Sequence, residues 1–150
     1  MIRFNLLLII ALTFFTACNS SQSSSNQALK SEIKVCPKCN MEINKSHLHS
    51  ATLTKNGTIH YFDDIGCMIL WSKENSVNTT KAKVFSNDTN KYIDAVTANY
   101  KVGEKTPMSY GFSAYENSID KPINLDIVTI KMLRGEHMAN PKIRKQILGN

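Results

Sequence analysis

The chain has 150 residues, 42% of them apolar and 20% charged, and carries a formal net charge of +6. The positive excess is scattered lysine, and a run such as "KIRKQ" at 142–146 reads as a solvated helix face, so charge alone gives no ground for a nucleic-acid site. No phosphate-binding glycine loop and no nucleophile elbow occurs, and the adjacent acids Asp63 and Asp64 read as a helix cap, which removes the common hydrolase and nucleotide-binding classes.

The chain begins "MIRFNLLLIIALTFFTAC". Arg3 supplies a positive start, and Leu6 to Phe15 form an uncharged run of ten. That run is too short to span a bilayer and has the length of a signal-peptide core. Thr16, Ala17 and Cys18 follow it, resembling the bacterial lipoprotein signal in which the cysteine becomes the lipid-modified N-terminus after cleavage; Phe15 stands where leucine is usual. A plain secretory signal with an incidental Cys18 is the simpler alternative. "NSSQSSSNQALKS", residues 19–31, holds too little apolar surface to fold and reads as a tether. The expected organisation is a signal peptide at 1–17, a tether at 18–31 and one domain at 32–150, about 119 residues, a normal size for a single core. Such a protein faces the periplasm, held to the inner or the outer membrane.

Within the domain, "HSATLTKNGTIHYF" alternates in two runs joined by Asn56-Gly57, a strong hairpin signal, and predicts strands near 49–54 and 58–62. "DDIGCMILWSKE" predicts a helix capped by Asp63 or Asp64, with Ile65, Met68 and Ile69 inward and Cys67 and Trp71 compatible with that face. "KAKVFS" predicts a short strand, "DAVTANYKVG" a longer one ended by Gly103, and "MSYGFSAYEN" another. "NLDIVTIKMLRGEHM" reads as a helix burying Ile127, Ile130 and Leu133, and a short polar helix is expected after Pro141. The order β-β-α-β, then β-β-α, predicts an α+β domain with antiparallel pairing, its second half loosely repeating the first.

Four cysteines in an exported chain suggest two disulfides. If Cys18 carries lipid, Cys36, Cys39 and Cys67 remain, and at least one thiol stays free or binds something. Cys67 alone reads most simply as a small buried hydrophobe. The pair lies in "CPKCNM", where Met41 follows two residues after Cys39. Met108 stands after Pro107 in "KTPMSY", a segment expected to be a loop. His47 and His49, two residues apart, would share a face of a strand, although surface positions explain them as simply. His60, between Ile59 and Tyr61, reads as a cross-strand packing residue.

Three chemistries compete for these donors. A structural zinc site wants four closed ligands, usually as two pairs, and only one spaced pair is visible; Cys67 and a histidine would have to supply the rest. A thioredoxin-like dithiol has the CxxC spacing, and Thr106-Pro107 could supply the cis-proline loop that faces such pairs, but no βαβ unit leads into Cys36. Cu(I) is soft and is satisfied by two or three thiolate or thioether ligands, so a methionine beside CxxC suits copper best. Packing roles for Met41 and Met108 remain the alternative.

In this order the residues resemble the NosL family, lipoprotein accessory factors of nitrous oxide reductase assembly. The resemblance rests on the Cys18 signal, "CPKCNM" at 36–41, "HYFDDIGCM" at 60–68, "YIDAVTANYKVG" at 92–103 and "TPMSYGFSAY" at 106–115. It covers roughly residues 36–116 and departs from the family where Asn40 and Ser109 replace usual glycines. It implies the small α+β architecture shared with organomercurial lyases, two ββα(β) halves with an antiparallel sheet. It implies a non-enzymatic, periplasm-facing copper chaperone with Cu(I) held by Cys36, Cys39, Met41 and Met108. The implied partners are nitrous oxide reductase and its assembly machinery, including an ABC-type transporter complex. A thiol–disulfide oxidoreductase using Cys36 and Cys39 is the enzymatic alternative.

Overall fold

The computed structural model of the chain describes residues 33–149. The expected signal peptide, the lipidation site Cys18 and the tether lie outside the described residues. No helix among the described residues is long and apolar enough to cross a membrane.

The first hairpin forms where the alternation places it. Strands β1 (Ala51–Lys55) and β2 (Thr58–Phe62) pair antiparallel, Ala51 opposite Phe62 and Leu53 opposite His60. Asn56 and Gly57 both take positive φ, 50° and 79°, as a two-residue turn matched to strand twist requires. Ala51 and Leu53 point into the core while Thr52 and Thr54, alternating with them, take the other face. Helix α1 (Ile65–Glu74) follows at once. Its N-cap is Asp64, whose side chain accepts from Gly66 N at 2.8 Å. The helix buries Ile65, Cys67, Met68, Ile69 and Trp71.

A short 3₁₀ turn at Thr79–Lys81 leads to β3 (Lys83–Phe85), which pairs with β1 on one side and with β4 (Tyr92–Asp94) on the other. The sheet order is β2-β1-β3-β4, all antiparallel. Strands β5 (Asn99–Val102) and β6 (Phe112–Tyr115) form a separate antiparallel pair. A parallel bridge between Ser86 and Ala114 ties that pair to the end of β3. Helices α2 (Leu125–Leu133), capped by Asn124, and α3 (Pro141–Leu148), capped by Asn140 with proline at its first position, complete an α+β domain.

Three expectations change. The strand expected over "DAVTANYKVG", residues 94–103, shortens to β5: its Asp94 is the last residue of β4, in the other sheet, and 95–98 turn between the two. Between them Asp94 O accepts from both Thr97 N and Ala98 N, closing a turn whose Ala95 and Ala98 are buried. Tyr100 locks it, its hydroxyl donating to Ala95 O at 2.7 Å. The buried face of α2 is Leu125, Val128 and Met132, whereas Ile127, Ile130 and Leu133 are 39%, 43% and 46% exposed. Both sets recur at helical spacing, and the packing partner rather than the period chooses between them. Finally, His47 and His49 precede β1 in a turn, both at positive φ. The repeat of the first half in the second is only approximate, since β4 belongs to the first sheet.

Candidate metal centre

"CPKCNM" forms a tight reverse loop. Val35 bridges Glu42, Cys36 N donates to Met41 O at 2.8 Å, and Asn40 N donates to Cys36 O at 2.9 Å. Asn40 closes the loop at φ 61°. Lys38, at its tip, pairs with Glu74 at the far end of α1. The loop thereby lies against the helix, and Cys36 is fully buried while Cys39 stays partly exposed.

The helix start supplies the other half. Asp63 lies just before the cap and Cys67 in the first turn. The donor atoms of Cys36, Cys39, Asp63 and Cys67 all lie within 4.8 Å of one another. Cys39 Sγ donates to Asp63 Oδ1 at 3.0 Å. Asp63 is 3% exposed, and its other oxygen, Oδ2, is buried with no hydrogen-bond partner. None of the three cysteines is in a disulfide.

The thiols are unequal. A hydrogen bond donated by Cys67 holds the Cys36 thiol down at about 6, against the opposing effect of burial. The same bond, with burial, pushes Cys67 up. Burial, followed by the Asp63 carboxylate, pushes Cys39 up to about 12. Of the two loop thiols, buried Cys36 is drawn toward the thiolate and partly exposed Cys39 is pushed away from it.

Asp64 works beside the site. Fully buried, it accepts from Thr106 Oγ1 at 2.6 Å and from Met108 N at 3.2 Å through Oδ2, while Oδ1 caps α1. Burial pushes its carboxyl up to about 6, despite these hydrogen bonds. Asp64 thus pins the loop of Met108 to the helix that carries Asp63 and Cys67. Gly66 permits the close approach: a Cβ there would stand 2.3 Å from Tyr110 Cδ2. Ser109 closes this second loop at φ 57°.

Of the four sulfur ligands expected from sequence, Cys36 and Cys39 converge. Met41 locks the loop through its carbonyl and leaves its side chain 42% exposed. Met108 is partly buried against the core, with its backbone on Asp64. Two members of the cluster, Cys67 and Asp63, differ from their expected roles. Cys67 is buried as expected of a small hydrophobe, but among thiols. Asp63 does not cap the helix, since Asp64 alone does so, and it turns to Cys39 instead. The discoverable signal was D-x-x-x-C across a helix N-terminus, downstream of CxxC.

The histidines are engaged elsewhere. His47 packs against Phe85 and Tyr92, His49 Nδ1 lies 2.8 Å from Ser113 Oγ, and His60 lies on Trp71 with ring centroids 4.5 Å apart. His60 is thus a packing residue, as its sequence neighbours implied. The Thr106–Pro107 peptide bond is trans.

No protein-family model matches the chain, no curated protein is significantly similar to it, and no solved structure matches it significantly. The centre is therefore read from its own chemistry. Three sulfurs and a carboxylate gathered at one point can hold a thiophilic metal ion.

Proposed function

We propose that this protein is a lipid-anchored, periplasm-facing Cu(I) chaperone of the NosL type, with the small α+β fold that the family shares with organomercurial lyases. It would hand copper to the assembly machinery of the copper–sulfide centre of nitrous oxide reductase. The observation that carries the metal-binding part is the convergence of Cys36, Cys39 and Cys67 on one point, all free of disulfides. A second observation supports the family reading. Asn40 and Ser109, the two positions where this chain departs from the family's glycines, both adopt the left-handed backbone that glycine favours, at φ 61° and 57°.

Two or three soft ligands satisfy Cu(I). Cys36 and Cys39 are its thiolates, and Met41 on the reverse loop and Met108 on the loop that Asp64 pins are the candidate thioethers. An incompletely coordinated Cu(I) leaves room for an acceptor's sulfur, so copper passes by ligand exchange. Both thiols must lose their protons, so affinity falls as pH falls. The oxidoreductase alternative is disfavoured by access. An attacking thiolate must reach a partner's disulfide, yet the low-pKa sulfur, Cys36, is 0% exposed.

The test is anaerobic titration of the reduced protein, in a Cys18→Ser background, with Cu(I) against a competing chelator. Tight one-to-one binding that weakens with Met108→Ala supports the chaperone. No tight binding, with Cys36 and Cys39 active in thiol exchange, replaces it by the redox reading.

A further inference from the structure

Cu(I) chemistry leaves Asp63 unexplained. A soft monovalent ion gains little from a hard carboxylate. Yet Asp63 is 97% shielded from solvent, its Oδ1 meets Cys39 Sγ, and its Oδ2 is buried without any partner. A buried carboxylate with an empty oxygen is costly unless it is paired or coordinates a metal. The group aimed into the cysteine cluster is thus short of a ligand of its own.

We infer that the centre has a second, closed binding mode, in which Cys36, Cys39, Cys67 and Asp63 together hold one divalent d10 ion of the zinc class. The inference rests on the metal-binding reading above and names a further cargo for the same site. The donors come as two pairs, C-x-x-C on the reverse loop and D-x-x-x-C across the start of α1, the arrangement a four-coordinate site needs. Tetrahedral zinc with Zn–S bonds of about 2.3 Å sets its sulfurs roughly 3.8 Å apart. The observed span of 4.8 Å or less brings all four donors to one ion with sub-ångström adjustments. Three thiolates and one carboxylate around a divalent ion leave a net charge of −2, the same as in a four-cysteine zinc site, and the N-terminus of α1 faces that charge favourably. On binding, the thiol protons go to solvent and no electrons move. Copper then uses part of the donor set and the divalent ion all of it, so the two ions compete and Asp63 discriminates between them.

The test uses the reduced protein in the Cys18→Ser background. Co(II), which reports geometry through its visible bands, is added first and then displaced with Zn(II). Cu(I) affinity is measured in parallel. The expected result is one Co(II) per chain with intense tetrahedral bands and sulfur charge-transfer absorption, lost on adding Zn(II). Asp63→Asn is expected to weaken Zn(II) at least about tenfold while leaving Cu(I) affinity within about twofold. Cys67→Ser, which keeps the side-chain size, is expected to weaken Zn(II) at least as much, and covers the case in which Asp63→Asn fails to fold. Octahedral Co(II) bands, or Zn(II) affinity unchanged in either folded variant, overturn the inference. Tight Cu(I) binding with no Zn(II) binding overturns it while leaving the chaperone reading intact, and the reverse pattern overturns the chaperone reading alone.

Discussion

Replacing Gly66 by alanine tests whether the Tyr110 loop is docked on α1 as tightly as the structure shows. On an ordinary exposed helix this change stabilises by up to about 1 kcal/mol, because alanine is the better helix former. Here the new Cβ would stand 2.3 Å from Tyr110 Cδ2, 2.8 Å from Cγ and 3.0 Å from Met132 Sδ. Carbon contacts settle near 3.5–4.0 Å, so the ring must retreat by roughly 1 Å or more. It cannot do so freely: His137 packs edge-on against it at 4.9 Å between centroids, and Tyr110 O accepts from Met138 N at 3.1 Å. Overpacking of this kind costs about 1–3 kcal/mol; the middle of that range less the full helix gain leaves a net loss of about 1 kcal/mol. At about 4 °C per kcal/mol for a domain of this size, Tm falls by about 4 °C. The assay is a thermal melt of the reduced, metal-free protein followed by circular dichroism. The same substitution in a Tyr110→Ala background is expected to be neutral or stabilising, a coupling of at least about 1 kcal/mol. A Tm that stays level or rises on Gly66→Ala alone refutes the close docking of this loop on the helix.

The face of α2 is checked by a pair of truncations in urea unfolding. Val128→Ala, at a fully buried position, is expected to cost about 2 kcal/mol, and Ile130→Ala, 43% exposed, no more than about 0.5 kcal/mol; equal losses would restore the face expected from sequence. His49 predicts a pH dependence. Burial lowers its pKa in the fold, opposed by Glu104, so the unfolded chain binds the proton more readily. Its contribution is complete above about pH 6.5, the unfolded value, and declines as pH falls below it. His49→Gln is therefore expected to lose less stability than the parent between pH 7.5 and 5.5. His137 is shifted in the same direction and is common to both proteins, so their difference isolates His49; identical losses would remove His49 from the account.

Much of the local structure was legible because it is decided locally. Asn56-Gly57 specifies its turn whatever surrounds it, an aspartate ahead of an apolar run caps a helix, and alternation in 51–54 assigns each side chain to a face. The α+β class followed from the order of such elements.

What failed, failed where two local solutions were equally good. Helix α2 carries two apolar stripes, and only the surface it meets selects Val128 over Ile130. "DAVTANYKVG" has the composition of one strand, yet 95–98 form a turn that Tyr100 locks by reaching back to Ala95, and only 99–102 remain as β5. The candidate centre shows the division most clearly. Cys36 and Cys39 announced themselves by spacing, because a loop of four residues brings its own ends together. Asp63 and Cys67 did not, because nothing in either segment says that the reverse loop will lie against the start of α1. Sequence by itself determined the donors within each element; only the packing of the loop on the helix determined that four of them meet. The physical reason is that turn and capping preferences act over a few residues, whereas a metal centre needs side chains that are distant in sequence, and their meeting is settled by burial of the core between them.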